Sequence, residues 1–347
     1  MLAAMQKEVD LRQGYLQDRV VHSIYFGGGT PSILAVDDIQ KLIDKVAEHF
    51  EIAADAEITL EANPDDLSMD KVQALRATPI NRFSIGIQSF YEEDLRWMNR
   101  AHTAQEADTS IKRVQDAGFE NITCDLIYGY PLLTDEKWLS NIQKLIGLEV
   151  PHISSYAMTV ERKTALDHFI RQGKTAPMDE DQSAEQMLVL MDTLTHNGFE
   201  HYEISNFAKQ GRYARHNTNY WKGRHYLGIG PSAHSFDGRS RSWNVANNMQ
   251  YISAIHANQS FYEKEDLSLQ DRTNEYIMTS LRTMWGIDLP YFEQEFGREA
   301  YQSMMEEAQP FLSKGQLLIK DSSLVLSNQG KILADHIMST LFNVGSV

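Results

Sequence analysis

The stretch Ser23-Ile24-Tyr25-Phe26-Gly27-Gly28-Gly29-Thr30-Pro31-Ser32 decides how this chain is read. Four residues of strand character run directly into three consecutive glycines. Without side chains, those glycines let a ligand approach the bare backbone, and Thr30-Pro31-Ser32 then stops the strand and opens a helix. Further strands follow, most of them with a polar residue at or near the C-terminal end. An active site built on the rim of an α/β barrel has this arrangement. The chain carries one cysteine, Cys124.

The bulk composition narrows the function classes. At 347 residues the chain is long enough for two domains, or for one barrel with an appendage. Hydrophobic residues make up 42% and charged residues 23%, as in ordinary globular proteins. No apolar run approaches the roughly 20 residues of a membrane helix, so membrane insertion is not expected. Met1 to Asp10 lacks the basic and then apolar pattern of a signal peptide. A single cysteine excludes an internal disulfide framework and predicts a cytoplasmic location. A net charge of −16 argues against nucleic acid and anionic membranes, and favours a small ligand or a protein partner.

Working outward from the glycine stretch, apolar periodicity predicts a helix over 1–19, the strand 22–26 and a helix over 36–50 with Ile39, Leu42, Ile43, Val46 and Phe50 on one stripe. Ile58 to Pro64 reads as a strand ended by proline, followed by helix 69–77 and strand 82–88. Thr103 and Glu106 form a capping box for a helix that should stop at Gly118. Strand 121–129, a helix starting at Thr134, strand 152–158 and a helix near 181–197 complete the series. This β/α alternation with short connections predicts a mostly parallel sheet. A parallel β/α unit normally opens with a strand, and this chain opens with a helix. If strand 22–26 is internal, its outer edge lacks a partner; either the first helix covers an open edge, or a strand belongs before Met1.

Residues 200–236 are rich in histidine, tyrosine and tryptophan and read as loops with short strands. Helices then return at 268–284, 290–296 and 298–313, followed by a hairpin from Gln316 to Leu326 and a helix over 328–342. Helix, helix, hairpin, helix is the winged-helix pattern. Residues 262–347 carry thirteen acidic and seven basic side chains, so a structural or partner-docking role is expected rather than DNA binding.

Several residues could carry chemistry. Strand alternation puts Ile122, Cys124, Leu126 and Tyr128 on one face and Thr123, Asp125 and Ile127 on the other. A carboxylate in so apolar a strand is costly unless it binds something, and Asp125 could accept hydrogen bonds from a ribose; the bland alternative is an Asp satisfied by backbone N–H groups. Glu61 and Gln88 stand at strand ends, and with Gly27–Ser32 and Asp125 they place polar groups on four successive strands at one rim. Arg100 could pair with a ligand carboxylate or simply close a helix. Arg215 to Trp221 packs an imidazole, two amides and two large aromatics into seven residues, with His201, His225 and His234 close by. Imidazole is a common haem ligand, and Trp and Tyr offer flat apolar surface to a macrocycle; the bland reading of each His is a hydrogen-bonded structural residue. No ligand pair has zinc-site spacing.

Five motifs then carry a resemblance over essentially the whole chain: Tyr25–Ser32, Leu60-Glu61-Ala62-Asn63-Pro64, Ser84-Ile85-Gly86-Ile87-Gln88-Ser89-Phe90, Asp125-Leu126-Ile127-Tyr128-Gly129 and His201-Tyr202-Glu203-Ile204-Ser205-Asn206-Phe207. In this order they resemble the HemW and HemN branch of radical S-adenosylmethionine (SAM) proteins. His216-Asn217-Thr218-Asn219-Tyr220-Trp221 looks like the HNxxYW motif of the HemW-type haem chaperones. The resemblance implies an α/β fold, a partial (β/α)6 barrel over 1–200 without its first strand. It further implies a connecting region over 201–262 and a helical, winged-helix-like domain over 263–347. It implies that Gly28, Gly29, Thr30, Glu61, Gln88, Arg100 and Asp125 contact SAM. His216, Asn217, Tyr220 and Trp221 would face haem, with His216 as an iron ligand, and respiratory proteins would receive that haem.

The departure is the cluster. The family's CxxxCxxC motif, whose thiolates hold a [4Fe–4S] cluster, is absent from these residues, and Cys124 alone cannot replace it. Catalysis is therefore not expected of the chain as it stands. Three readings follow: a truncated haem chaperone, a truncated oxygen-independent coproporphyrinogen III oxidase, or a cluster-less haem- or protein-binding module.

Overall fold

Local signals place most elements of the computed structural model, which describes residues 1–342. Helix α1 (Leu2–Arg12) ends well before the expected residue 19, because Val20 belongs to strand β1 (Val20–Phe26) and only mimicked helical spacing. Pro31 opens a single 3-10 turn, Pro31–Ile33, and α2 (Val36–Ala47) follows, burying Ile39, Leu42 and Ile43. Strand β2 (Glu51–Ala62) begins earlier than Ile58; its first residues are largely exposed and show no buried stripe. Ser68 caps α3 (Met69–Arg76) by accepting the Lys71 N–H, and β3 (Arg82–Gln88) follows. After α4 (Glu92–Trp97), the Thr103/Glu106 capping box opens α5 (Ala104–Asp116), a device that contributes about 1 kcal/mol. Strand β4 (Asn121–Tyr128), the Thr134-capped α6 (Asp135–Gly147) and β5 (His152–Ala157) come next. Helix α7 (Ala165–Arg171) was not legible because it buries no residue and so shows no apolar stripe. Asp179 caps α8 (Glu180–His196), which leads to β6 (Phe199–Glu203) and β7 (Asn206–Lys209).

The strands form one curled half-barrel sheet in the order β1-β2-β3-β4-β5-β7-β6. Pairs β2–β3, β3–β4 and β4–β5 are parallel, whereas β7 is antiparallel to both β5 and β6. Strand β1 lies at the edge. One face of the sheet is apolar: Phe83, Ile85 and Ile87 on β3 and Ile122, Cys124 and Leu126 on β4 are almost fully buried, as are Ile111, Val114, Trp138 and Ile142 on helices. Each such side chain contributes about 1.5–3 kcal/mol by leaving water. Trp138 satisfies its indole N–H on the Gln186 carbonyl at 2.8 Å. The other face is polar. Glu61 lies opposite Ser84, Ser84 opposite Thr123, Asp125 opposite Ser154, and Ser154 opposite Asn206.

By its contacts the chain divides into two units, residues 25–33 with 58–214, and residues 1–24 with 34–57 and 215 onward. In the second of these, the stretch up to Phe236 expected as loops with short strands holds α9 (Arg215–Trp221) and the short strand β8 (His234–Phe236), and β9 (Ser240–Asn244), α10 (Asn248–Ala257) and β10 (Tyr262–Asp266) follow where the sequence assigned no element. Strands β10, β9 and β8 make an antiparallel sheet; β10 is exposed throughout, so burial left no mark on its sequence. Ala4 of α1 packs with Tyr251, Ile255 and Phe261. Below that cluster, Glu8 is fully buried and accepts from Gly230 N–H, Asn244 Nδ2 and Tyr251 OH, with Arg12 at 3.9 Å.

The C-terminal part is helical and winged, as expected. It contains α11 (Leu269–Leu281), β11 (Ile287–Asp288), α12 (Leu289–Phe296), α13 (Arg298–Ser313), β12 (Leu317–Lys320), β13 (Ser323–Leu326), α14 (Asn328–Ile332) and α15 (Ala334–Thr340). The hairpin gains β11 as a third strand. The one helix expected over 328–342 breaks at Leu333, whose φ/ψ of −105°/20° is not helical. The end of the region expected to reach 347 lies outside the described residues.

Candidate functional site

Five of the seven rim residues expected from sequence converge through direct contacts or shared neighbours at the C-terminal ends of β1 to β4. The glycine loop is shaped by Glu61. Its carboxylate accepts the Tyr25 hydroxyl at 2.6 Å and the Gly28 N–H at 3.1 Å. Gly28 and Gly29 have φ of +75° and +65°, and a Cβ on either would meet nothing within 4 Å. Glycine is therefore required there by backbone conformation, while the space beside it stays open for a ligand. Gly27 is required for another reason, since a Cβ would fall 2.4 Å from the Tyr25 ring. Thr30 follows on the same loop; Ser32 turns away to donate to Asp66 Oδ2 at 2.6 Å.

Gln88 ends β3 with φ of +65°, at an irregularity in the pairing with β4. Gly86 lets Gln88 and Arg100 come close, because a Cβ there would lie 2.8 Å from Gln88 Nε2 and 3.2 Å from an Arg100 amine. Arg100 donates to Asn63 Oδ1 at 2.8 Å, while its buried Nε has no partner among the described residues. Burial lowers the Arg100 pKa against the pull of Asp65 and Asp125. A half-buried guanidinium with an open donor suits a ligand carboxylate. Asp125 sits between β3 and β5, where burial and then the charge of Glu61 push its carboxyl up to about 7. Ser84 donates to it at 3.5 Å. The ring of polar groups thus includes Tyr25, Asn63, Ser84 and Ser154, which the sequence reading did not single out. The even spacing of parallel strands, which sets Ser154 beside Asp125, was the available signal.

The remaining four residues, His216, Asn217, Tyr220 and Trp221, lie on α9 in the other unit. Helix α9 starts where it does because Glu57 caps it: the backbone N–H groups of Arg215 and His216 each donate to one Glu57 oxygen at 2.9 Å. His216 Nδ1 lies 3.4 Å from Ser23 Oγ, and burial lowers the imidazole pKa, which favours the neutral form that binds metals. Tyr220 meets Trp221 edge-on at 5.0 Å and Tyr226 at 5.5 Å, and Arg282 stacks on Trp221. Of the neighbouring histidines, His201 stacks on Phe207 and bonds the Ile204 carbonyl, which is a structural setting.

The group set at the rim fits SAM: an open arginine donor for a carboxylate, two carboxyls for amine and hydroxyl donors, and bare backbone beside them. It does not fit the cluster. Cys124, the single cysteine, is fully buried on the face opposite Asp125, and burial raises its thiol pKa. Asp10, Glu48 and His49 also approach one another, but the Lys45 ammonium sits between Asp10 and Glu48 and takes the place of a cation.

The half-barrel with a glycine loop, two carboxyls and an arginine on its rim is assigned to the radical SAM class by comparison with known proteins. The family description "Radical SAM superfamily" matches residues 6–145, and "HemN C-terminal domain" matches residues 267–333. The heme chaperone HemW of Bacillus subtilis is 32% identical over 318 residues, 91% of this chain and 84% of that protein. The heme chaperone HemW of Mycobacterium tuberculosis is 32% identical over 98% of this chain and 85% of its own length. Among solved structures, coproporphyrinogen III oxidase HemN of Escherichia coli, a radical SAM enzyme, superposes with a TM-score of 0.83. It is 22% identical and covers 99% of this chain and 82% of its own, a likeness of fold. This chain belongs to the HemW family of radical SAM proteins. No helix among the described residues is long and apolar enough to cross a membrane.

Proposed function

We propose that this chain is a haem chaperone of the HemW type, which binds haem on α9 and passes it to respiratory proteins. The observation that carries this reading is the 32% identity to heme chaperones HemW across nine-tenths of the chain. Helix α9 supports it with a neutral imidazole and adjacent flat aromatics, the groups a haem needs for its iron and its faces. His216 would be the iron ligand, and Asn217, Tyr220 and Trp221 would line the macrocycle.

The rim of the half-barrel would hold SAM. Gly28, Gly29 and Thr30 would meet its methionine end, Glu61 and Arg100 its charged groups, and Gln88 and Asp125 its ribose. In this superfamily a cluster and SAM together supply a 5′-deoxyadenosyl radical. The residues here offer no cluster ligand set, so we assign them ligand binding and no radical step. The division into 1–200, 201–262 and 263–347 is retained, supported at its last boundary by the match over 267–333. A single cysteine supports a cytoplasmic setting.

Haem titration followed at the Soret band tests the reading in wild type and His216→Ala. Binding by wild type with a changed band and weaker affinity in the variant supports it. Identical spectra and affinity would remove His216 as the ligand.

A further inference from the structure

Residues 204–236 carry five lysines and arginines and no aspartate or glutamate, in a chain of net charge −16. A window of that sign in so acidic a protein suits an anionic ligand. Helix α9 lies within it, and its end meets the residues that follow α11 in a reciprocal seam. Arg282 lies over the Trp221 ring at 4.9 Å, and Lys222 lies over the Trp285 ring at 4.1 Å. Each side thus contributes one cation and one indole. The ring holds the cation in place, but it carries no net charge to cancel it. Asp335 stands 3.9 Å from Arg282 with its side chain 95% exposed, so water screens that pair. Arg215, at the other end of α9, pairs with Asp55 at 3.1 Å, whereas Lys222 joins no ion pair among the described residues.

We propose that Lys222 and Arg282 form a carboxylate subsite at the end of α9, taking the two acid side chains that project from one edge of a haem-type macrocycle. This rests on the haem reading of α9. The backbone carbonyls at a helix C-terminus repel anions, so a carboxylate is held there only where cations outweigh them. Lys222 supplies a compact charge with three donors, and Arg282 supplies a planar fork that matches a carboxylate. Trp221 and Trp285 keep both charges at the seam before the ligand arrives, which lowers the entropy cost of ordering two long side chains on binding. Tyr220, 39% exposed and edge-on to Trp221 at 5.0 Å, offers apolar surface beside the charges. An uncharged macrocycle of the same shape would meet the aromatic surface and gain nothing from the subsite.

The ordinary alternative is that the seam only fastens α9 to the end of α11, and the acid groups of the macrocycle separate the two. Soret titrations compare haem with its dimethyl ester, which has the same ring and iron and no carboxylate, in the same detergent. The ratio of the two affinities, compared between proteins, cancels the solubility of each macrocycle. Wild type should favour the diacid by about thirtyfold; Lys222→Gln and Arg282→Gln should each lower that preference about fivefold, and the double variant should abolish it. His216→Ala should weaken both macrocycles alike and keep the ratio, which separates the iron contact from the carboxylate contact. A seam that only fastens α9 would weaken both macrocycles equally in the glutamine variants. Lys222 is exposed, so Lys222→Gln carries the test even if Arg282→Gln fails to fold. A ratio kept within about twofold of wild type in the folded glutamine variants overturns the subsite and leaves haem on α9 intact. Wild type that binds neither macrocycle removes the α9 reading itself, and the proposal with it.

Discussion

Replacing Glu57 by glutamine should weaken haem binding without touching any residue that faces haem. Glu57 is 8% exposed, and its two oxygens each take one backbone N–H at the start of α9, from Arg215 and His216. Glutamine keeps one acceptor oxygen and turns an NH2 toward the other N–H, so one bond is lost and two donors face each other. A hydrogen bond to a charged acceptor is worth about 1.5–3 kcal/mol, and loss of the negative charge at the helix N-terminus costs about a further 0.3–1 kcal/mol. Helix α9 has seven residues, too few to persist by propensity alone, so its cap decides whether the first turn forms. If about 2 kcal/mol of the loss falls on the placement of His216, haem affinity drops by about thirtyfold. The assay is a Soret titration at 25 °C beside far-ultraviolet circular dichroism, which confirms that the rest of the fold is intact. An affinity within about twofold of wild type in a folded variant would refute the argument that the cap positions the haem ligand.

Other consequences follow from the same contacts. The folded Asp125 carboxyl keeps its proton up to about 7, whereas the unfolded one releases it near 4. Folding therefore takes up a proton between those values, and stability falls as pH rises across them. Asp125→Asn should accordingly melt higher than wild type at pH 8 and show much less advantage at pH 4.5; an equal gain at both pH values would contradict the assignment. Gly28→Ala should cost about 1 kcal/mol, because φ is +75°, and should weaken SAM binding measured by equilibrium dialysis. An unchanged affinity would show that the loop backbone does not meet the ligand. Glu8→Ala leaves three donors without their acceptor in a closed interior and removes the carboxylate beside Arg12, so it should destabilise by about 3–5 kcal/mol in urea unfolding. Loss of less than about 1 kcal/mol would mean that the cluster is not held by that carboxylate.

The barrel was legible because its signals are local. Thr103 and Glu106, Thr134, and the glycines at 118 and 198 mark helix ends by chemistry that does not depend on tertiary context. Strand ends were legible where Glu61 and Gln88 break apolar runs, and Asp125 marks the polar face of β4 from within the strand. Elements that bury little escaped: α7 has no buried residue and β10 none either, so neither bears a hydrophobic period. Helix α9 escaped because Glu57, far away in sequence, starts it. The part of the site that could not be read is the polar row on the strands beside Asp125. Ser154 and Asn206 look like ordinary strand residues until the parallel register of β4 with β5 and the antiparallel return of β7 set them side by side.

Haem transfer from the loaded chain to the apo form of a respiratory haem protein tests the central claim most directly. The account predicts that the acceptor gains haem from this chain faster than from free haem at the same concentration, and that His216→Ala loses the advantage. Haem retained by the chain, or an acceptor filled no faster than by free haem, would contradict it.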